Sequence, residues 1–240
     1  MKYPNAPIRE AVFDIQVSNT ERMSQVEIEN LHTLFSSKYP KKRVLNRFFG
    51  KLEMKDGNGI SNNTNSEFRG LIFSNNSNNR QVQFRIDGFT LNFLSPYNNW
   101  EELFSEAKKL WEIYNSGLNP IKINRIALRF INKIDIPLPF ISFQEYITNM
   151  PPIPKSLPQF YKNFFMQIEV PCEYEKYTAI ITETIETPTK EIIPFILDID
   201  VFKEIHNDFN IDDFKYLRLI KNSIFEDFIT DKTRNLFKND

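Results

Sequence analysis

Three cations recur at intervals of four residues in a segment that is otherwise largely apolar. Arg125, Arg129 and Lys133 lie on one side of the strand predicted over residues 121–136, because side chains alternate between the two faces of a strand. A guanidinium presents a planar fork of donors that suits a carboxylate or a phosphate. Other predicted strands also carry cations between apolar residues, and we expect these on the same surface: Arg47, Lys51, Arg69 and Arg85. The sequence therefore predicts a basic face on a β-sheet.

This basic face has three interpretations, and the sequence leaves all of them open. Its charges could pair with carboxylates across neighbouring strands and serve only structure. It could bind nucleic acid, with arginines on phosphates and Phe49 or Phe73 stacked on bases. It could also bind a protein, since arginine and aromatic residues are favoured anchors of protein interfaces.

Residues for covalent or metal-assisted catalysis are scarce. Cys172 is the single cysteine, so an intrachain disulfide and a cysteine-cluster zinc site are excluded. A nucleophilic thiol would need a histidine base, and His32 and His206 are the two histidines. The six glycines form no phosphate-binding loop motif. We predict no catalytic residue, no metal and no cofactor.

An enzyme with a carboxylate-based site remains an alternative. Its candidate residues are Glu10, Arg129 and Asn132, which could lie on adjacent strands. They would have to converge in a cleft to form an active site. We expect instead that Glu10 and Arg129 pair with each other or with neighbouring strands. Asn132 lies on the apolar side of its strand and must be hydrogen-bonded if it is buried.

Hydrophobic periodicity predicts the elements that position these residues. Strands are predicted near residues 8–17, 43–54, 67–74, 80–87, 89–95, 121–136, 160–170, 174–184 and 192–200. Helices are predicted over residues 21–37, 100–114, 142–148 and 211–229. In the first helix we expect Val26, Leu31, Leu34 and Phe35 to face inward, and in the last Phe214, Leu217, Ile220, Ile224 and Phe228. The asparagine-rich stretches 61–66 and 75–79 read as hairpin loops.

The order of these elements repeats along the chain. Residues 1–117 give a first β-α-β(4)-α half and residues 118–240 a second β-α-β(3)-α half, which we expect to form one compact unit. The class is α+β, with antiparallel sheets backed by long amphipathic helices and one sheet face left open. The same element order occurs in the TATA-binding protein fold, which is an analogy of architecture.

Three strings of residues carry a family resemblance. They are Tyr3-Pro4-Asn5-Ala6-Pro7-Ile8 with Ala11-Val12-Phe13, then Leu128-Arg129-Phe130-Ile131-Asn132-Lys133-Ile134-Asp135-Ile136-Pro137, and last Phe225-Glu226-Asp227-Phe228-Ile229-Thr230-Asp231 with Leu236-Phe237. In these strings the chain resembles a sporadically distributed family of uncharacterised bacterial proteins, over nearly its whole length. The candidate signature residues are Pro4, Asn5, Pro7, Glu10, Asn132 and Asp135.

The first string has a structural interpretation besides a functional one. Pro4 and Pro7 fix backbone angles, and Asn5 can bond to its own backbone. We therefore expect a rigid lead-in to the first strand rather than a ligand site.

The resemblance implies no particular activity, but it does imply a genomic context. A scattered distribution among bacteria resembles that of mobile-element or defence-associated genes. It implies a non-catalytic binding or regulatory component that acts through a protein partner of unknown identity. The alternatives are nucleic-acid binding through the basic face and, after that, an enzyme of unknown reaction.

Composition adds limits on location and charge. The formal net charge of −1 gives no overall attraction to nucleic acid or to an anionic membrane. The polar, proline-containing N-terminal stretch does not resemble a signal peptide, and no apolar run is long enough to span a bilayer. With a single cysteine, the reducing cytoplasm is the predicted compartment.

Overall fold

A nine-stranded antiparallel sheet organises the protein, which we describe from a computed structural model covering residues 3–18, 24–54, 60–120, 122–159, 161–172, 176–206 and 209–238, with backbone alone for 50–54 and 60–65. The strands are β1 Ile8–Ser18, β2 Lys41–Met54, β3 Ile60–Ser74, β4 Arg80–Arg85, β5 Gly88–Leu94, β6 Lys122–Pro137, β7 Phe165–Cys172, β8 Tyr177–Ile185 and β9 Ile192–Glu204. Their order across the sheet is β2-β3-β4-β5-β1-β6-β9-β8-β7.

The pairing of β1 with β6 lies at the centre of the sheet. Phe13 is opposite Leu128 and Ile15 is opposite Ile126, so apolar side chains of both strands share one face. β5 flanks β1 on one side and β9 flanks β6 on the other. The two predicted halves therefore contribute to a single sheet rather than to separate sheets.

Four helices accompany the sheet over the described ranges: α1 Gln25–His32, α2 Trp100–Leu118, α3 Asp213–Phe228 and α4 Asp231–Leu236. A capping box between Ser24 and Glu27 begins α1, and the Asn99 side chain caps α2. The predicted helix over 142–148 is a single 3₁₀ turn, Phe143–Glu145. The mixed α and β composition expected from the sequence is confirmed.

The core is aromatic and lies between the sheet and its helices. Phe13 of β1 is fully buried and stacks on Phe214 of α3, with ring centroids 3.5 Å apart. Phe89 packs edge-on against Trp111 of α2. The remaining large, fully buried side chains share this aromatic or branched character: Tyr39, Tyr114, Tyr177, Phe73, Phe84, Phe93, Phe143, Phe195 and Ile15.

Several local predictions are wrong. Within the described residues α1 starts at residue 25 and ends at 32, and Val26 and Leu34, expected inward, are each 66% exposed because Ile28 and Phe35 take the inward positions. The stretch 61–66 is not a loop, since it forms part of β3, where the ladder with β2 supplies its backbone hydrogen bonds. Residues 19–23, which include the start of the predicted first helix, lie outside the described ranges.

The stacked pair Phe13–Phe214 gives a test of this core. We expect Phe13→Ala to lower the free energy of unfolding by about 3–5 kcal/mol, because it removes a buried ring and leaves a cavity. Urea denaturation measures the change. Phe165→Ala, at a site 68% exposed on β7, is the control and should change the free energy by about 0.5 kcal/mol or less. Equal effects of the two substitutions would contradict the described packing.

Candidate functional site

The sheet face opposite the helices, here called the open face, carries most of the predicted basic residues. On β6, Arg129 donates from Nε to both carboxylate oxygens of Asp198 at 2.9 and 3.1 Å. Arg125 donates to Asp200 at 3.1 Å, and Lys133 lies 3.1 Å from Asp135. Each of the three cations that suggested a binding face is therefore bonded to a carboxylate.

The same pairing extends to the strands on the other side of β1. Arg85 donates to Asp14 at 2.9 Å, and Arg69 donates to Asp87 at 2.6 Å. The hydrogen bonds that Arg129 donates to Asp198 raise the pKa of Arg129, as expected for a stabilised guanidinium. Carboxylates of the fold therefore neutralise five of the predicted cations: Arg69, Arg85, Arg125, Arg129 and Lys133.

Arg47 differs from these residues. It lies on the edge strand β2, and its guanidinium is 4.7 Å from the centre of the Phe49 ring. Neither Arg47 nor Arg43 has a carboxylate partner among the described side chains. Phe48 is 69% exposed and Phe49 is also exposed. We call Arg43, Arg47, Phe48 and Phe49 the β2 edge patch; the side chain of Lys51 lies outside the described residues.

The residues proposed for a carboxylate-based active site do not converge. Glu10 accepts a hydrogen bond from Asn92 on β5 at 2.7 Å, and Arg129 is held by Asp198 on β9. Asn132 lies on the opposite face, where it is buried. Over the described residues, no group of three or more His, Cys, Asp or Glu side chains could hold a metal ion.

The three strings that carry the family resemblance meet at one cavity of about 380 Å³. Its wall includes Pro4 and Pro7 from the first string, Phe130 and Asn132 from the second, and Phe225 and Glu226 from the third. The N-terminal segment is fixed there by the Asn5 backbone N–H, which donates to the Phe237 carbonyl at 3.2 Å. The expected lead-in to β1 therefore also forms part of a cavity wall.

Lys221 of α3 is the most unusual group at this cavity. It is 7% exposed, and its Nζ lies 4.0 Å from the centre of the Phe130 ring. No carboxylate lies within 4.0 Å of its amine among the described residues. Burial lowers the pKa of Lys221 to about 7. An amine buried without a counter-charge is costly, and the cation–π contact offsets only part of that cost.

The surrounding polar groups are largely held in place. Asn132 donates from Nδ2 to the carbonyls of Phe130 and Leu197 at 3.3 and 3.0 Å. Glu226 accepts from the Tyr3 hydroxyl at 2.9 Å and from Arg234 Nε at 3.0 Å. Its charge is therefore already engaged, and Asn132 meets the predicted need for hydrogen bonds.

Sequence reasoning missed Lys221, although a signal was present. The inward side of α3 consists of Phe214, Leu217, Lys221, Phe225 and Phe228, at successive spacings of three and four residues. The prediction placed Ile220 and Ile224 on this side, and both are only partly buried. The signal was the position of Lys221, which lies four residues after Leu217 and four before Phe225 and so falls on the apolar side of the helix.

A second buried charge lies away from the cavity. Glu183 on β8 is 0% exposed, and neither of its carboxylate oxygens has a hydrogen-bond partner within the described ranges. Burial raises the pKa of this carboxyl from its ordinary 4.5 to about 7. Its place in β8, opposite Leu197 and Met166, explains the desolvation.

Comparison with known proteins adds no identification. No protein-family model matches the chain, and no curated protein matches it. Among the described residues no helix is both long enough and apolar enough to cross a membrane.

The ion pairs of the open face predict unequal effects on stability. Arg129→Ala should lower the free energy of unfolding by about 1–3 kcal/mol, because it leaves the largely buried Asp198 without its donor. Lys133→Ala should cost about 0–1 kcal/mol, since its partner Asp135 is exposed. Chemical denaturation of both variants checks this. An Arg129→Ala protein as stable as wild type would show that the pairing contributes nothing.

The raised pKa of Glu183 predicts that the free energy of unfolding depends on pH. Between about pH 4.5 and 7 the native state holds a proton that the unfolded state releases, so stability falls as the pH rises, by about 3 kcal/mol in total. Glu183→Gln should remove this fall and exceed wild type in stability above about pH 7. Urea denaturation across this pH range is the measurement. Glu169→Gln, at an exposed site on β7, is the control and should keep the wild-type profile.

Proposed function

We propose that the protein is a non-catalytic binding component that acts through a protein partner. The observation that carries this proposal is the β2 edge patch. Its two arginines have no carboxylate partner among the described side chains, whereas Arg85, Arg125 and Arg129 are each bonded to a carboxylate. Phe49 shares their side of β2, and Phe48 is exposed on the other side of the same strand. Arginine and aromatic side chains are favoured anchors of protein interfaces.

The chemistry of the patch defines the kind of partner. β2 is the outermost strand on its side of the sheet, so its outer backbone groups are available for pairing. A partner segment could add there as a further strand, held by main-chain hydrogen bonds. Arg43 and Arg47 supply positive charge, and we propose an extended partner segment that carries acidic residues. Electrostatic complementarity of this kind gives specificity and speeds association.

The same contrast between paired and unpaired cations argues against nucleic-acid binding as the function. Phosphate contacts need available cations, and five of the predicted cations already have carboxylate partners: Arg69, Arg85, Arg125, Arg129 and Lys133. The patch itself could still stack on single-stranded bases, so nucleic acid is a competing outcome of the test below.

We also propose that the chain arose by internal duplication. Strands β5, β4, β3 and β2 follow outward from β1, and strands β9, β8 and β7 follow outward from β6. Each run is followed in sequence by a long helix, α2 or α3. This symmetry supports a likeness to the element order of the TATA-binding protein fold. It also supports our view of the chain as a binding scaffold, in the setting of a mobile-element or defence-associated locus.

Co-expression with the products of neighbouring genes tests the proposed function. We expect one product to co-purify at fixed stoichiometry, and Phe48→Ala or Arg47→Glu to weaken that complex at least about tenfold, as for an interface anchor. Association rates should also fall as salt rises, because the proposed partner segment is acidic. Isothermal titration calorimetry on the purified pair gives the affinities.

The matched control is Phe165→Ala on the opposite edge strand. Phe165 is 68% exposed and Phe48 is 69% exposed, so the two truncations remove similar solvent-facing surface. A complex lost equally in both variants would place the interface elsewhere. A protein that purifies alone beside every neighbouring product would contradict the proposed function. An electrophoretic shift with single-stranded DNA that Arg47→Glu abolishes would favour nucleic acid instead.

A further inference from the structure

We propose that the cavity where the three strings meet is a binding site for a small organic monocarboxylate, whose carboxylate pairs with Lys221 and whose apolar body lies against the aromatic wall. This site is separate from the β2 edge patch, so it does not depend on the proposed protein partner. Three features of the described residues support this site: a buried amine without an ion pair, the charged groups around it and the aromatic surface of the wall.

The buried amine points to an anion. Lys221 is more than nine-tenths buried, lines the cavity, and has neither an ion pair nor a hydrogen bond among the described residues. Its neighbour Arg218 also lines the cavity, and its guanidinium lies over the Trp100 ring at 5.2 Å. Arg218 likewise has no carboxylate within 4.0 Å in the described part of the chain. A ligand carboxylate would supply the missing counter-charge to both groups.

The other titratable groups at the cavity limit the charge of the ligand. Glu226 on α3 and Glu101 on α2 are the carboxylates in the described wall, and Tyr3 and Tyr97 are its tyrosines. Glu226 is already bonded to Tyr3 and to Arg234. The two glutamates disfavour a multiply charged phosphate, since like charges repel at short range. A ligand with a single carboxylate opposite Lys221 and Arg218 fits these charges better than a phosphate does.

The wall and the volume define the rest of the ligand. Tyr97, Trp100, Phe130 and Phe225 present apolar surface, and the volume of about 380 Å³ lies within the range of small-molecule pockets. Asn132 is fixed by two backbone carbonyls and is in place to orient a polar group. An aromatic or short aliphatic acid satisfies both the charge and the surface.

Binding of such an acid is linked to protonation of Lys221. In the unliganded protein the pKa of this amine is lowered to about 7, and a bound carboxylate would raise it again. At about pH 8 binding should therefore take up close to one proton. The affinity should fall as the pH rises above about 7, because the neutral amine then predominates in the free protein.

Isothermal titration calorimetry tests the proposal with phenylacetate, benzoate and hexanoate as probes. We expect at least one to bind with a Kd of about 1 mM or tighter, and the uncharged phenylacetamide to bind at least about tenfold more weakly. Titrations in buffers of different ionisation enthalpy should show proton uptake at about pH 8. Lys221→Met should weaken the acid at least about tenfold and abolish the uptake.

Lys215→Met is the matched control, because Lys215 is an exposed lysine of the same helix that pairs with Asp212. It should leave both affinity and proton uptake unchanged. The melting temperature of Lys221→Met should equal or exceed that of wild type, since a buried uncompensated charge is removed. The proposal is overturned if none of the three acids binds, if the amide binds as well as the acid, or if Lys221→Met retains the acid. Proton uptake is read on the wild-type protein, so that result stands even if the variant folds poorly.

Discussion

The antiparallel pairing of β1 with β6 determines which side chains of this protein can meet. It places Phe13 opposite Leu128 and Ile15 opposite Ile126, and so commits one face of both strands to the core. Because side chains alternate along a strand, the intervening residues Asp14, Arg125 and Arg129 must lie on the other face. A shift of one residue would exchange the two faces, so this register is strongly specified.

Paired and unpaired charges contrast in this fold. On the open face, Arg129 of β6 pairs with Asp198 of the neighbouring strand β9, and Arg85 of β4 pairs with Asp14 of β1. On the helix face, the Lys221 amine lies 4.0 Å from the centre of the Phe130 ring and has no ion pair among the described residues. A bonded pair at a partly exposed site costs little to maintain, whereas a buried lone charge is expensive. A fold that tolerates the second arrangement is consistent with a role for that group beyond stability.

The sequence predicted local patterns well and long-range partners poorly. The predicted strand over residues 8–17 and the predicted helix over residues 100–114 are confirmed as β1 and α2, because each depends on residues close together in the chain. The pairing of Arg129 with Asp198 could not be predicted, because it depends on how β6 aligns with β9. On α3 the prediction is confirmed at Phe214, Leu217 and Phe228. It is wrong at Ile220 and Ile224, because the inward positions belong to Lys221 and Phe225 and a lysine is not expected in a core. The cavity could not be predicted, because its wall combines three strings that are far apart in the sequence and no local pattern shows that they meet.

On the helix face, at the junction of the three strings, the Lys221 amine is buried without an ion pair among the described residues. The most direct test is the titration of Lys221 itself, followed by the ¹³Cε chemical shift in protein with ¹³C-labelled lysine and assigned with Lys221→Met. We predict that one lysine titrates with a pKa of about 7 and that this signal is absent from the variant. A Lys221 signal that titrates near the ordinary lysine value of about 10.4 would contradict it, because the amine would then be hydrated or paired.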